Sequence, residues 1–250
     1  MVRKLKPSKE EKKSAEPAVD APDEFLSISQ RGFDWMAENS KLVIAVLAVL
    51  LVAGLGYSLA MTYTEHVSTQ ASDLLAEALR QQQGQVDLTG TTEATDDAPV
   101  FASEEEKLKA TRSAAEALVK AYPTHNAGNA GRLLLGRACL ELADLECSLG
   151  AYQDFLTKAG VEDPMRNQAL LGLGAAQEQK GEQAAAADTY KKLADGRLGF
   201  MKDLGLYHAG RVLAQLGEAD QARGYLERIE TDFPDSPIKP EATKVLDTLP

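Results

Sequence analysis

The chain has 250 residues, 26% of them charged and only 6% aromatic, with Ala, Leu, Glu, Gln and Lys recurring along its length. Those are helix formers, and no alternating β-branched runs suggest a sheet, so an all-α fold is expected. Residues 1–41 hold eight Lys/Arg and eight Asp/Glu, so the net charge of −11 falls wholly on the rest. So acidic a remainder offers phosphates no basic stripe, which argues against nucleic acid as a partner.

Residues 1–24 are Lys, Glu, Pro, Ser and Ala with almost nothing to bury, which predicts a disordered leader. Over 25–41, Phe25, Ile28, Phe33 and Met36 recur near helical spacing and predict an amphipathic segment lying against a membrane face. Residues 42–64 contain no charge at all. About 20 apolar residues cross a hydrocarbon core of roughly 30 Å, so this run is expected to span, with Trp35, Tyr57 and Tyr63 at the interfaces. Eight basic residues precede it and only Arg80 lies in the twenty that follow. Lys/Arg asymmetry therefore puts the N-terminus in the cytoplasm and the C-terminal domain across the membrane, in a bacterial periplasm. A cleaved signal peptide is the rival, with Ser58-Leu59-Ala60 as its cleavage site, but the leader and the apolar stretch are both too long for one. Small residues, among them Gly54, Gly56 and Ala60, could let this helix pack closely on another.

The spanning helix is expected to continue through Leu74, Leu75, Ala78 and Leu79 and to end near Gly84, with residues 84–102 forming a loop. Ser103 before Glu104, Glu105 and Glu106 reads as a helix N-cap with acids in the first turn. From there helices alternate with short breakers, and an internal repeat emerges. One unit reads Leu135-Gly136, Cys139, Ala143-Asp144, Ser148, Tyr152. The next reads Leu173-Gly174, Gln177, Gly181-Glu182, Ala186, Tyr190, and the third Ala209-Gly210, Leu213, Gly217-Glu218, Ala222, Leu226. Gly136, Gly174 and Gly210 recur at 38 and then 36 residues. Each would let a small residue of the second helix (Ser148, Ala186, Ala222) come close.

These units, with Tyr122-Pro123 and Phe233-Pro234 as closing aromatic-Pro pairs, resemble the tetratricopeptide repeat, whose period is about 34 residues. Asp235-Ser236-Pro237 then opens a final capping helix, and residues 61–121 read as a degenerate first pair using the end of the membrane helix. The resemblance implies a tetratricopeptide-like helical solenoid over residues 65–250. It also implies a ligand-facing groove on the first helix of each unit, at Ala130, Leu133, Arg137, Leu140; Gln168, Leu171, Ala175, Glu178; and Leu204, Tyr207, Arg211, Ala214. Leu133, Leu171 and Tyr207 flanked by Arg137 and Arg211 would suit a peptide. The alternative is that these arginines only solvate a surface.

Catalytic chemistry finds little support. His66, His125 and His208 lie far apart, with no His or Cys at metal-ligand spacing, so neither a metal nor a cofactor is expected. Gly131 to Arg137 resembles a phosphate loop but lacks the Lys-Ser/Thr ending and lies inside a predicted helix. No serine sits in a nucleophile elbow, so an enzyme is not expected. Cys139 and Cys147 read as buried free thiols, with a disulfide between the two helices as the alternative that an oxidising periplasm permits.

The stretch Arg31-Gly32-Phe33-Asp34-Trp35-Met36-Ala37-Glu38-Asn39-Ser40-Lys41, leading into a membrane helix and then helical repeats, resembles the YfgM-like ancillary subunits of the Sec translocon. That resemblance implies a non-enzymatic adaptor that binds the Sec channel and a membrane-anchored periplasmic prolyl isomerase and helps newly translocated proteins reach chaperones. A scaffold of another envelope complex, in division or outer-membrane assembly, is the other expectation.

Overall fold

The structure, a computed structural model, describes residues 24–89 and 99–250, with side chains described from Arg31 onward. The leader expected over residues 1–24 lies outside these but for Glu24. Two compact units part between Tyr63 and Thr64.

The first unit holds α1 (Glu24–Glu38) and the start of α2 (Ser40–Gln83). Asn39 joins them: its Nδ2 donates to the Trp35 carbonyl at 2.9 Å, and its own carbonyl accepts from the Leu42 and Val43 amides. Phe33, Trp35 and Met36 are exposed on α1. Among the described residues α2 is the helix long and apolar enough to cross a membrane, with a mean hydropathy of 2.6 over its most apolar window.

The second unit begins at Thr64 and takes in the last turns of α2, which end one residue before Gly84. Two short pieces of the expected loop over 84–102 are strand instead, because β1 (Gln85–Val86) pairs in parallel with β2 (Val100–Phe101). Gly84 makes room for this: a Cβ there would lie 2.4 Å from the Phe101 ring. Ser103 caps α3 (Glu104–Ala121) as predicted, its Oγ accepting from the Glu106 amide at 3.1 Å.

Six helices then form three hairpins: α4 (Asn126–Glu141) with α5 (Leu145–Lys158), α6 (Arg166–Gln179) with α7 (Gln183–Ala194), and α8 (Lys202–Gln215) with α9 (Ala219–Asp232). Their turns share one hydrogen-bond pattern. The amides of Asp144, Glu182 and Glu218 donate to the carbonyls of Cys139, Gln177 and Leu213 at 2.8, 2.8 and 2.9 Å. This closes each first helix in a Schellman motif around a left-handed residue, with φ of 58° at Ala143, 84° at Gly181 and 80° at Gly217.

The repeat glycines sit at tight helix crossings, where Ser148 and Ala222 come close to Gly136 and Gly210 as expected and a larger side chain crowds each glycine most. A Cβ on Gly136 would lie 3.0 Å from the Tyr152 ring, on Gly174 2.4 Å from Tyr190, and on Gly210 2.5 Å from Leu226. The glycine thus accommodates the large side chain one turn beyond the small residue. Ser148 contributes differently, donating its hydroxyl to the Gly136 carbonyl at 2.9 Å. Tyr152 is also pressed from the other side, because Gly172 of α6 faces its ring. Each aromatic therefore links its own hairpin to the next.

Apolar clusters follow the same logic. One joins Leu133, Tyr152, Phe155 and Leu173; a second Ala187, Tyr190, Val212 and Leu213; a third Leu206, Leu226, Ile229 and Ala242. Arg132 is also buried, 2% exposed, yet its guanidinium is satisfied by Asp154, Asn129 Oδ1 and the Pro123 carbonyl. The final helix, α10 (Lys239–Leu246), begins later than Asp235-Ser236-Pro237 implied, with Pro240 in its first turn. Ser236 instead spans the turn, donating to Asp203 at 2.6 Å and accepting from the Ile238 amide.

Candidate functional site

The end of α2 is the wall that the sequence-based groove positions lacked. Tyr122, which caps the end of α3, donates its hydroxyl to Gln70 Oε1 at 3.0 Å, and Ala71, Leu74 and Leu75 pack against Leu118, Tyr122 and Ala127. This leaves Leu75, Leu79 and Gln82 opposite Ala130, Leu133, Leu134 and Arg137 of α4, with Met165 and Gln168 closing the side toward α6. A mostly apolar cavity of about 410 Å³ results. Four of the predicted groove positions meet there: Ala130, Leu133, Arg137 and Gln168. Leu133 is largely buried and supports the floor. Arg137 stands at the rim, more than half exposed, with its Nε donating to Glu141 at 2.8 Å. That hydrogen bond raises the guanidinium's already high pKa.

The predicted positions on α6 and α8 meet in a second cluster of different character. Arg211, expected on the surface, has only a quarter of its side chain exposed. Its guanidinium donates to both Glu178 oxygens, at 2.7 and 2.8 Å, and lies 3.2 Å from His208 Nδ1. Tyr190 donates its hydroxyl to the same carboxylate at 2.7 Å. The His208 ring stacks on Tyr190 at 4.9 Å and meets the edge of Tyr207 at 5.1 Å. Burial, then the Arg211 charge, lowers the His208 pKa to about 4, so it is neutral near pH 7. Burial and the bond to Glu178 push the Tyr190 hydroxyl up. Leu171 is half-buried beside this region, against the cluster around Tyr190. The two predicted arginines thus differ: one stands at an apolar cavity and the other closes a polar network.

Sequence reasoning placed Leu75 and Leu79 on the continuing helix but not in the groove, though their spacing of four residues past the membrane run was the available signal. It also favoured free thiols, whereas Cys139 and Cys147 form a disulfide with Cα atoms 5.8 Å apart. Spacing alone could not decide this, because the Schellman turn between them brings the two side chains together. Gly54, Gly56 and Ala60 are exposed on α2, and a Cβ at either glycine would meet nothing within 4 Å. Among the described residues, no group of three His, Cys, Asp or Glu could hold a metal ion.

No curated protein matches the chain in sequence. The tetratricopeptide repeat family matches residues 205–236, which hold most of α8, the Gly217-Glu218 turn and α9. The fold is therefore an all-α array with a repeat of tetratricopeptide type, a scaffold for protein–protein interaction, preceded among the described residues by one helix apolar enough to cross a membrane.

Proposed function

We propose that this chain is a non-enzymatic adaptor of the bacterial inner membrane, anchored by α2, with its repeat domain in the periplasm. The observation that carries the reading is the apolar cavity between α2, α4 and α6, whose rim offers Arg137, Gln82 and Gln168 for hydrogen bonds. Such a site suits an apolar side chain on a peptide-like partner, with backbone groups met at the rim. The disulfide supports an oxidising compartment for the domain. Gly54, Gly56 and Ala60 are the small residues proposed for lateral packing within the bilayer, with Gly56 and Ala60 on one face of α2.

The Sec channel and a membrane-anchored prolyl isomerase are the partners this reading prefers, on the resemblance at Phe33–Lys41. A scaffold of a division or outer-membrane assembly complex is the second reading, favoured by Gly-Glu turns and the Phe233-Pro234 corner that general envelope repeat proteins share. Affinity purification of the intact protein from mild detergent tests both. Channel subunits and the isomerase should co-elute; recovery of division or outer-membrane assembly proteins in their place would select the second reading.

A further inference from the structure

A single residue, Asn39, separates α1 from α2 and belongs to neither. Its amide and its Nδ2 both donate to the Trp35 carbonyl, which finishes α1. Its own carbonyl accepts from the Leu42 and Val43 amides, which starts α2. The helical ladder is therefore interrupted at one position, and Asn39 satisfies groups on both sides of the interruption. The chain is free to change direction there.

The side chains just before the break are large, apolar and uncovered. Phe33 is 67% exposed, Trp35 55% and Met36 40%. At 3.6 residues per turn, Met36 lies about 60° from Phe33 and about 100° from Trp35 around the helix, with Asp34 about 160° away. Charge selects no partner for this face, because Arg31 and Lys41 balance Asp34 and Glu38. Chain length does select one. The uncharged run begins at Leu42, four residues after Glu38, and four residues reach at most about 14 Å. Head groups and interface add roughly 5–8 Å on each side of a hydrocarbon core. The lipid interface is thus an apolar surface that the chain itself holds within reach of α1.

We propose that Asn39 is a corner that lays α1 in the plane of the lipid interface, at the leaflet where the uncharged run begins, with Phe33, Trp35 and Met36 turned into the bilayer. The proposal rests on the reading of α2 as a membrane anchor. Burial of the apolar face holds α1 there, and head-group charge does not. Asn39 is a positioning residue that touches no lipid chain itself. Alanine in its place removes the Nδ2 contact and favours one continuous helix. Such a helix would carry Phe33 nine residues, or about 14 Å, beyond Leu42 and into water.

The test uses the full chain reconstituted in phosphatidylcholine vesicles, where Trp35, the single tryptophan, is the native probe. Its emission should be shifted to the blue and should be quenched more by bromine near the head group than by bromine near the acyl chain ends. Phosphatidylglycerol vesicles should give the same quenching. In a Trp35→Phe background, Phe33→Trp should also be quenched, whereas Asp34→Trp should stay in water. Adding Asn39→Ala to the Phe33→Trp chain should remove most of its quenching. A Leu50→Trp reporter in the same background, with and without Asn39→Ala, reads the anchor and should be quenched most by the deep bromines. If that reporter is not quenched, α2 does not span and the proposal falls with the anchor. If it is quenched while only dissolved acrylamide reaches Trp35, α1 stands in water and the proposal alone fails. If neither lipid nor acrylamide reaches Trp35, a protein covers the face and the lipid assignment is overturned. Quenching confined to phosphatidylglycerol would assign the contact to charge, and equal quenching at positions 33 and 34 would deny α1 a lipid face. Unchanged quenching on Asn39→Ala would overturn the corner.

Discussion

The first hairpin, α4–α5, and the two that follow it make the same turn with different chemistry. All three close on a left-handed residue with the same Schellman hydrogen bonds. Gly181 and Gly217 adopt that conformation at no steric cost, whereas Ala143 has a Cβ that crowds the following carbonyl. The first hairpin is also the one with a disulfide, from Cys139 just before the turn to Cys147 just after it. The equivalent positions are Gln177 and Ala185 in the second hairpin and Leu213 and Gln221 in the third, which cannot form that bond. The same backbone geometry is therefore held by conformational freedom in two places and by a covalent bond in the third.

The comparison breaks most severely at the helix crossings the three hairpins share. Gly174→Leu should cost about 3 kcal/mol or more, because its side chain would occupy the space of the Tyr190 ring. Gly136→Ala should cost clearly less than Gly174→Ala, since its added methyl meets Tyr152 at 3.0 Å rather than 2.4 Å. Denaturant melts of a fragment spanning residues 64–250 check the order; equal midpoints for the two alanine variants would show that the crossings are not packed as described.

Removing the disulfide by Cys139→Ser with Cys147→Ser should cost about 2–3 kcal/mol, the loop entropy of a crosslink spanning eight residues. A reducing agent should destabilise the wild type by a similar amount and leave the double variant unchanged. If the reducing agent moves neither melt, the first hairpin does not depend on its bond.

The polar cluster between α6 and α8 distinguishes the later repeats by pH. His208, with its pKa lowered to about 4 against an ordinary 6.5, binds fewer protons folded than unfolded. Its contribution is full above pH 6.5 and is lost as pH falls toward 4. Between pH 7 and pH 5 the wild type should lose about 2 kcal/mol that His208→Gln does not lose. Identical pH slopes for the two proteins would remove histidine from that account.

The turns themselves give the smallest effects, with opposite signs. Gly181→Ala and Gly217→Ala should each cost about 1 kcal/mol, while Ala143→Gly should gain about 0.5 kcal/mol or more in the variant without the disulfide. A loss on Ala143→Gly in that background would mean that the left-handed alanine is not strained.

Much of this array was legible in the sequence because its signals are local. An uncharged run of 23 residues, a serine before three glutamates, and Gly-Glu pairs at a fixed distance from an upstream glycine each report on a few neighbouring residues. The unread parts depend on which side chains meet across elements. Nothing at Arg132 marks it as buried, since Asp154 and the Pro123 carbonyl reach it from another helix and a loop. Glu178 and Arg211 were each placed on the groove face, but their pairing depends on the offset between α6 and α8. The short pairing of β1 with β2 joins segments on either side of residues rich in Thr and Asp, with no alternation long enough to register.

The Cys139–Cys147 bond also bears on the order in which the chain can acquire structure. Its two sulfurs are separated by eight residues within one hairpin, so their encounter needs nothing downstream. The apolar clusters likewise join each hairpin to its neighbour rather than one end of the domain to the other. A chain emerging N-terminus first from a narrow exit can therefore settle α3 on α2, fasten α4 to α5, and add the remaining hairpins in turn. Each addition buries its apolar face on a surface that is already in place.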